Sequence, residues 1–575
     1  MDSSRDFYTS TPGGSRDDEE FGTSGDDSFF TPLPWYALLP VNMWKKYKRA
    51  LIIGVSVLGV VLVGLIITAA VVSSRHDSSK HTATGPKNVI VMITDGFGPA
   101  SVTLARTLNG APLQLDRMIR GTIRTKSANS LVTDSAAGAT SYSCGLKTNN
   151  TFVAVDPRGR ACGTILEAAQ KKGMRTGLVV TSRITDATPA SFSSHSVTRY
   201  AQEFIASQQV TKGIDIMFGG GRDYYLPKSE GGLREDGKNL LEEASKAGVS
   251  VATTLNQFNA ISKMPTLGLF GMSHLDYTID RNLEQPTLAQ MVAKALSLLE
   301  KDSPKGFFLM VEGSRIDHAG HDNDAATHYR EVLAYDDALK EIITFAEKDG
   351  DTLVVSVSDH ETGGLTLGVT PRSGSYPVYD WYWSPFPRYL EYTSFRLTND
   401  WVQNKASAYK MAAAIHAAAP NASEEQLLEA AKTVLREKAG LELNQEDLAL
   451  LAPALSSKPT GIPLLNVIGN IIAYRAGIAW TTLGHTGVDI NLYSYTKAPN
   501  VDLPGVKITE KFGNGGNLEN FDVGQYLIDV GHFDVEAVSR ALQSFNPNPL
   551  AQEKTKRQMR KANVDVVVDP YHPEL

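Results

Sequence analysis

The chain has 575 residues, 42% of them hydrophobic, which is ample for a large packed core. Lys and Arg number 56 against 63 Asp and Glu, a net charge of −7 without a long basic run in the body, and this excludes nucleic acid as an expected partner. Cys144 and Cys162 are the only cysteines, too few for a disulfide framework; one bridge could form in an oxidising compartment, and the spacing leaves open whether they pair.

Residues 1–43 are rich in Ser, Asp, Gly and Thr, with few apolar groups before Phe29, and are predicted to be a disordered cytoplasmic tail. Within it Trp35-Tyr36-Ala37-Leu38-Leu39-Pro40 could be read by a cytosolic sorting adaptor, although the acidic residue four positions before the leucine pair is missing. Residues 44–72 then combine a basic flank, Lys45, Lys46, Lys48 and Arg49, with an uncharged run from Leu51 to Val72. At about 1.5 Å per residue that run spans a hydrocarbon core of about 30 Å, so one transmembrane signal-anchor helix is predicted, with the N-terminus cytoplasmic. Residues 73–86 read as a polar stalk.

From Lys87 to about residue 545 short β-rich runs alternate with helical stretches, the pattern of βαβ units around a largely parallel sheet. Strands are predicted at Asn88–Thr94, Arg175–Ser182, Ile214–Phe218, Gly306–Val311 and Thr352–Ser358. Four of them are followed closely by an acid: Asp95, Asp186, Glu312 and Asp359. Ligands bind beyond the carboxyl ends of parallel strands, so these acids are expected along one edge. An aromatic, proline-rich stretch and then Ala-rich helical sequence interrupt the pattern at about 370–480 and read as an insertion. Residues 546–575 form a polar, basic tail. Asn149-Asn150-Thr151 and Asn421-Ala422-Ser423 make Asn149 and Asn421 candidate glycosylation sites.

Chemistry concentrates in a few motifs. Asp134-Ser135-Ala136 would place a serine at the start of a helix spanning Ala136–Ser143, where backbone N–H groups favour developing negative charge. A serine hydroxyl needs a base or a metal beside it to act as nucleophile. In Glu312-Gly313-Ser314-Arg315-Ile316-Asp317-His318-Ala319-Gly320-His321, Asp317 and His321 share a helical face at i, i+4, and carboxylate with imidazole suits zinc. Ser358-Asp359-His360 and Gly484-His485-Thr486 add further donors.

The order Asp-Gly, Asp-Ser-Ala, Asp-Ala-Thr-Pro, Glu-Gly followed by Asp-x-x-x-His, Asp-His and His-Thr-Gly resembles the alkaline phosphatase family from Lys87 to about Tyr493. The resemblance implies an α/β fold, a three-layer sandwich around the sheet, and two zinc ions with one magnesium per subunit. Asp317, His321 and His485 would hold the first zinc. Asp359, His360 and Asp95 would hold the second, with Ser135 as its reacting ligand. Asp95, Thr188 and Glu312 would hold magnesium. Ser135 would form a phosphoserine intermediate, Arg199 would dock phosphate with its planar fork, and Asp134 would orient that arginine.

Where bacterial relatives pair aspartate with lysine beside the third metal and mammalian ones pair two histidines, this chain has Asp186 and His318. Asp186 would back the magnesium's water and His318 the phosphate's, and imidazole there would make that contact depend on pH. The resemblance further implies small phosphomonoester substrates, a homodimer and, since the signal anchor looks most like that of the fungal vacuolar members, a single-pass type II protein of the vacuole membrane. The competing readings are a phosphodiesterase, mutase or sulfatase at a similar site, and a membrane receptor or scaffold without turnover. Arg199, the Asp-Ser-Ala nucleophile and the absent Cys-x-Pro-x-Arg motif oppose the first; the complete ligand set opposes the second.

Overall fold

The computed structural model describes residues 85–369, 381, 406–418, 422–455, 462–499, 501–504 and 516–549. The cytoplasmic tail, the Leu51–Val72 span, Asn421 and the chain beyond residue 549 lie outside the described residues. Among the described residues no helix is long and apolar enough to cross a membrane.

In chain order the strands are β1 (Asn88–Ile93), β2 (Ile119–Arg124), β3 (Arg175–Arg183), β4 (Ile216–Gly220), β5 (Ser250–Ala252), β6 (Thr266–Leu269), β7 (Phe307–Glu312) and β8 (Thr352–Val357), then β9 (Glu361–Thr362), β10 (Thr366–Leu367), β11 (Ile478–Ala479), β12 (His485–Thr486), β13 (Ile490–Thr496) and β14 (Asn517–Glu519). Ten form one sheet in the order β14-β2-β13-β8-β1-β7-β3-β4-β6-β5. β13 runs antiparallel to both neighbours and the remaining pairs are parallel. All five predicted strands occur, one of them displaced. The strand expected from Ile214 starts at Ile216, because the Asp215 carboxylate turns back to accept the Thr176 N–H at 2.8 Å and the Arg175 guanidinium at 2.8 Å.

β1 is a continuous apolar run, Asn88-Val89-Ile90-Val91-Met92-Ile93, and every residue of it is buried. Its side chains alternate between two cores. Ile90 and Met92 join one with Leu309 and Val354, while Val89, Val91 and Ile93 join the other with Phe308 and Val355. A strand buried on both faces needs layers on both sides, which makes the body a three-layer sandwich.

Among the helices, α1 (Ser135–Cys144), α2 (Ala187–Ser193), α3 (Arg315–His321) and α4 (Ala325–Asp349) flank the sheet's carboxyl edge or its faces. The insertion contributes α5 (Ala408–Ala418), α6 (Glu424–Ala439), α7 (Gln445–Ala454) and α8 (Leu464–Arg475), which share a separate apolar core around Met411, Ile415, Leu435, Ile468 and Ile472. Cys144, the last residue of α1, is disulfide-bonded to Cys162. The body continues past residue 545, since the Pro547 carbonyl accepts the Val197 N–H at 3.1 Å.

Candidate active site

The four acid-bearing strands are neighbours, β8-β1-β7-β3. Their register sets the acids level. Ile93 pairs with Glu312 on one side and with Val357 on the other, so Asp95 and Asp359, each two residues further on, emerge side by side. Gly96 adopts φ +76, and a Cβ there would come within 2.5 Å of Asp317, so the Asp-Gly sequence lets α3 close onto the strand end. Gly138 of α1 likewise permits approach to Asp359, whose Cβ would lie 2.9 Å from an added Cβ.

Ser135 opens α1 and is buried. The preceding Asp134 caps the helix by accepting the Ala137 N–H at 3.0 Å. Ser135 Oγ lies 3.1 Å from His360 Nε2, and that nitrogen lies 3.5 Å from Asp95 Oδ1 and 3.3 Å from Asp359 Oδ2. The two carboxylate oxygens and Thr188 Oγ1 are buried and make no hydrogen bond. Burial pushes up the pKa of Asp95, then Asp359, Asp317 and Glu312 push it further. Burial and Asp317 carry Asp359 to about 7; burial, Asp186 and Asp359 carry Glu312 to about 8. Such a concentration of desolvated acids with unused oxygens suits cations.

The second donor group is Asp317, His321 and His485. His321 Nδ1 donates to the Leu483 carbonyl and His485 Nδ1 to the Thr133 carbonyl at 2.8 Å, which leaves both Nε2 atoms as acceptors. They face each other at 3.2 Å, with Asp317 Oδ2 3.3 Å from His321 Nε2 and Oδ1 3.6 Å from His485 Nε2. Two imidazole lone pairs at that distance repel unless a cation or a proton lies between them. Burial opposes protonation of His321, but Asp317 outweighs it and raises the ring to about 9. The donor set therefore suits a divalent cation. Asp95, Asp359 and His360 around Ser135 form the other donor set, with Glu312 close enough to raise the pKa of Asp95.

Arg199 is buried between two carboxylates, Asp134 Oδ2 at 3.4 Å and Asp186 Oδ1 at 3.1 Å, which aim its guanidinium toward the start of α1. Asp186 also accepts from Arg183 at 3.3 Å and from the Ala187 N–H at 2.7 Å as the cap of α2. His318 accepts from Arg315 at 2.8 Å, and burial with that guanidinium pushes its pKa well below the usual value.

Sequence reasoning did not single out His274. Its ring lies 4.4 Å from that of His318 and its donor atoms cluster with those of Asp186 and His318. Arg183 and Arg199 bond to Asp186 and Arg315 to His318, so three guanidinium groups border this cluster. A lone histidine in a loop, Ser273-His274-Leu275, gives no sequence signal. Of the sequence-derived residues, Asp95, Asp134, Ser135, Asp186, Thr188, Arg199, Glu312, Asp317, His318, His321, Asp359, His360 and His485 all fall at this edge of the sheet or in the segments bonded to it, whereas Asn149 lies on the neighbouring loop.

Residues 86–512 match the family model described as alkaline phosphatase. The chain is 39% identical over 487 residues to the repressible alkaline phosphatase of Saccharomyces cerevisiae, covering 77% of this chain and 80% of that protein. It is 40% identical over 464 residues to an alkaline phosphatase of Schizosaccharomyces pombe, with the same coverage. Among solved structures, Thermus thermophilus alkaline phosphatase superposes with a TM-score of 0.65 at 28% identity, covering 80% of this chain and 95% of that one. The matched region contains the four acid-bearing strand ends and both donor groups, and the chain belongs to the alkaline phosphatase family.

Proposed function

We propose that the protein hydrolyses phosphate monoesters of broad structure at alkaline pH, through a phosphoserine intermediate at a site for two zinc ions and one magnesium. The observation that carries this reading is the buried Ser135 Oγ, 3.1 Å from His360 Nε2 inside the carboxylate cluster and adjacent to the Asp134 that bonds Arg199. When bound, the metals supply neutralisation of the attacking and leaving oxygens of an in-line displacement and acidify serine and water.

Arg199 holds two oxygens of the phosphoryl group with its fork. Ser135 Oγ, its proton released to solvent, attacks phosphorus as the ester P–O bond breaks, and the departing alkoxide takes a proton from water. Water then displaces Ser135 from phosphorus and phosphate leaves. Two inversions retain configuration. The opening turn of α1 favours the negative charge that accumulates beside it.

The polypeptide would be held in a membrane by Leu51–Val72 as a single-pass type II protein, with its catalytic body in the vacuole lumen, as a homodimer, and with Asn149 and Asn421 available for glycosylation. The uncharged run after a basic flank supports the anchor. An adaptor contact on the tail and the vacuolar address are tested by fractionating cells that express full-length and tail-deleted chains.

For the chemistry, the test is hydrolysis of a chromogenic phosphate monoester against the corresponding bis-ester at pH about 8 to 10, before and after chelation and after restoring zinc and magnesium. Monoester turnover that disappears and returns with the metals is expected. Preference for the bis-ester would overturn the assignment, and a zinc-loaded protein without turnover would favour a binding role.

A further inference from the structure

The disulfide joins the end of the nucleophile helix to Cys162 and closes a loop, residues 145–161, between them. That loop touches both partners in phosphate docking. On one side Asn150 grips the backbone just before Ser135: its Oδ1 accepts the Asp134 N–H at 3.2 Å and its Nδ2 donates to the Val132 carbonyl at 3.1 Å. The Thr151 N–H donates to Asp134 Oδ2 at 2.9 Å, the same oxygen that faces Arg199.

On the other side the loop runs against the segment that carries Arg199. The Arg199 N–H donates to the Thr151 carbonyl at 2.8 Å, Val153 and Ser196 exchange backbone bonds at 2.8 and 2.9 Å, and His195 Nδ1 meets the Ala154 carbonyl at 2.8 Å. Thr151 therefore contacts Asp134 through its N–H and Arg199 through its C=O. It does so with φ 72, and Ala154 with φ 43, left-handed conformations that non-glycine residues hold only when surrounding bonds impose them.

We infer that this disulfide-closed loop is the frame that fixes the spacing between Arg199 and Ser135, with Asn150 and Thr151 as positioning residues for phosphate affinity. The inference rests on the reading of Arg199 as the phosphate-docking group. The side-chain and backbone bonds just described reach Val132, Asp134, His195, Ser196 and Arg199 rather than the groups that would hold metal. Removing the Asn150 clamp releases Asp134 and so the carboxylate that aims the guanidinium, and phosphate binding weakens while the metals stay. Opening the disulfide acts on the same contacts from the ends of the loop.

The test is direct binding of inorganic phosphate, measured by calorimetry on the metal-loaded full-length protein, so that it does not depend on turnover. Asn150→Ala keeps the Asn149-x-Thr151 triplet and is expected to weaken phosphate binding about tenfold, with metal content and Tm near those of the parent. Arg199→Ala weakens it as well, and the double variant is expected to lose much less than the product of the two effects, because both act on one guanidinium. Cys162→Ser should shift phosphate affinity in the same direction. Unchanged affinity in Asn150→Ala, or fully multiplicative losses in the double variant, would overturn the inference. A parent that binds phosphate but does not turn over monoesters would count against the proposed reaction and leave the frame intact.

Discussion

On one side of the site Asp95, Glu312 and Asp359 ride the ends of three adjacent strands, each fixed by backbone ladders. On the other side His321 and His485 sit on a seven-residue helix and a two-residue strand; each ring donates to one main-chain carbonyl and faces Asp317, and Asn466 of α8 donates to the His321 carbonyl at 2.6 Å. Asn470 extends that contact by bonding Asn323 Oδ1 at 3.1 Å, while Asn323 donates to the Gly320 and Thr482 carbonyls at 2.9 and 3.0 Å. The sheet half is redundant in its support. The histidine half depends on a few side chains, some of them supplied by the insertion.

The largest expected effect leaves that contrast untouched. Ser135→Ala removes the attacking oxygen without changing a histidine or a strand, so turnover should fall by at least about 10³-fold with zinc content preserved. A variant that kept its rate would disprove the nucleophile assignment and remove the chemical reason for bringing the two halves together.

Metal removal should expose the cost of the carboxylate half. Asp359 and Glu312 have folded pKa values of about 7 and 8, above their ordinary values, and His321 is raised to about 9. Above about pH 4.5 an unfolded chain has released protons that the folded acids still hold, so the slope of stability with pH is negative up to about 8. His321 acts in the same direction, contributing stability below about 6.5 that is lost as pH rises through 9. The buried imidazoles of His318, His328 and His360, held below their usual values, act in the opposite sense only below about pH 6.5, so the metal-free protein should melt several degrees lower at pH 9 than at pH 7. Zinc and magnesium should raise Tm by a larger increment at pH 9, where protons no longer compete for the donors. Scanning calorimetry with and without chelator decides this, and an increment that shrinks with pH would contradict the assigned donors.

Legibility in the sequence follows the same division. The buried runs of β1, β7 and β8 and the acids that end them could be read directly, because a strand buried on both faces is apolar throughout. β2 and β13 could not: Ile119–Arg124 is mostly exposed or half-buried, and Ile490–Thr496 mixes Asn, Ser and Thr with apolar residues, so neither shows a clean period. His321 could be joined to Asp317 by its i, i+4 spacing, but its grouping with His485 rests on the family resemblance, since 164 residues separate the two and the pairing of β12 with β9 brings His485 opposite Thr362. Asn150 showed only as part of a glycosylation triplet. Asn466 left a fainter trace, a buried amide in the otherwise apolar Leu464-Leu465-Asn466-Val467-Ile468.

Asn466→Ala tests whether the histidine half leans on the insertion. Partners that orient metal ligands typically contribute 10- to 100-fold to affinity, and Asn466 holds a backbone carbonyl rather than a ring, so about tenfold faster loss of the first zinc to a chelator is expected. The second zinc should be unaffected. Equal loss of both metals would mean that the two halves behave as one unit despite their different construction.

The smallest effect separates a local contact from a general weakening of the insertion. Asn444 caps α7, accepting the Asp447 N–H at 2.9 Å while Asp447 accepts the Asn444 N–H at 3.0 Å and pairs with Arg475 at the end of α8 far from Asn466. Asn444→Ala should destabilise the insertion by about 1 kcal/mol. Because the Asp447–Arg475 pair meets α8 at its last residue while Asn466 lies in its first turn, zinc retention should match the parent's. If Asn444→Ala released the first zinc as fast as Asn466→Ala, the histidine half would be responding to the stability of the whole helical insertion, and the amide of Asn466 would have no special part in holding His321.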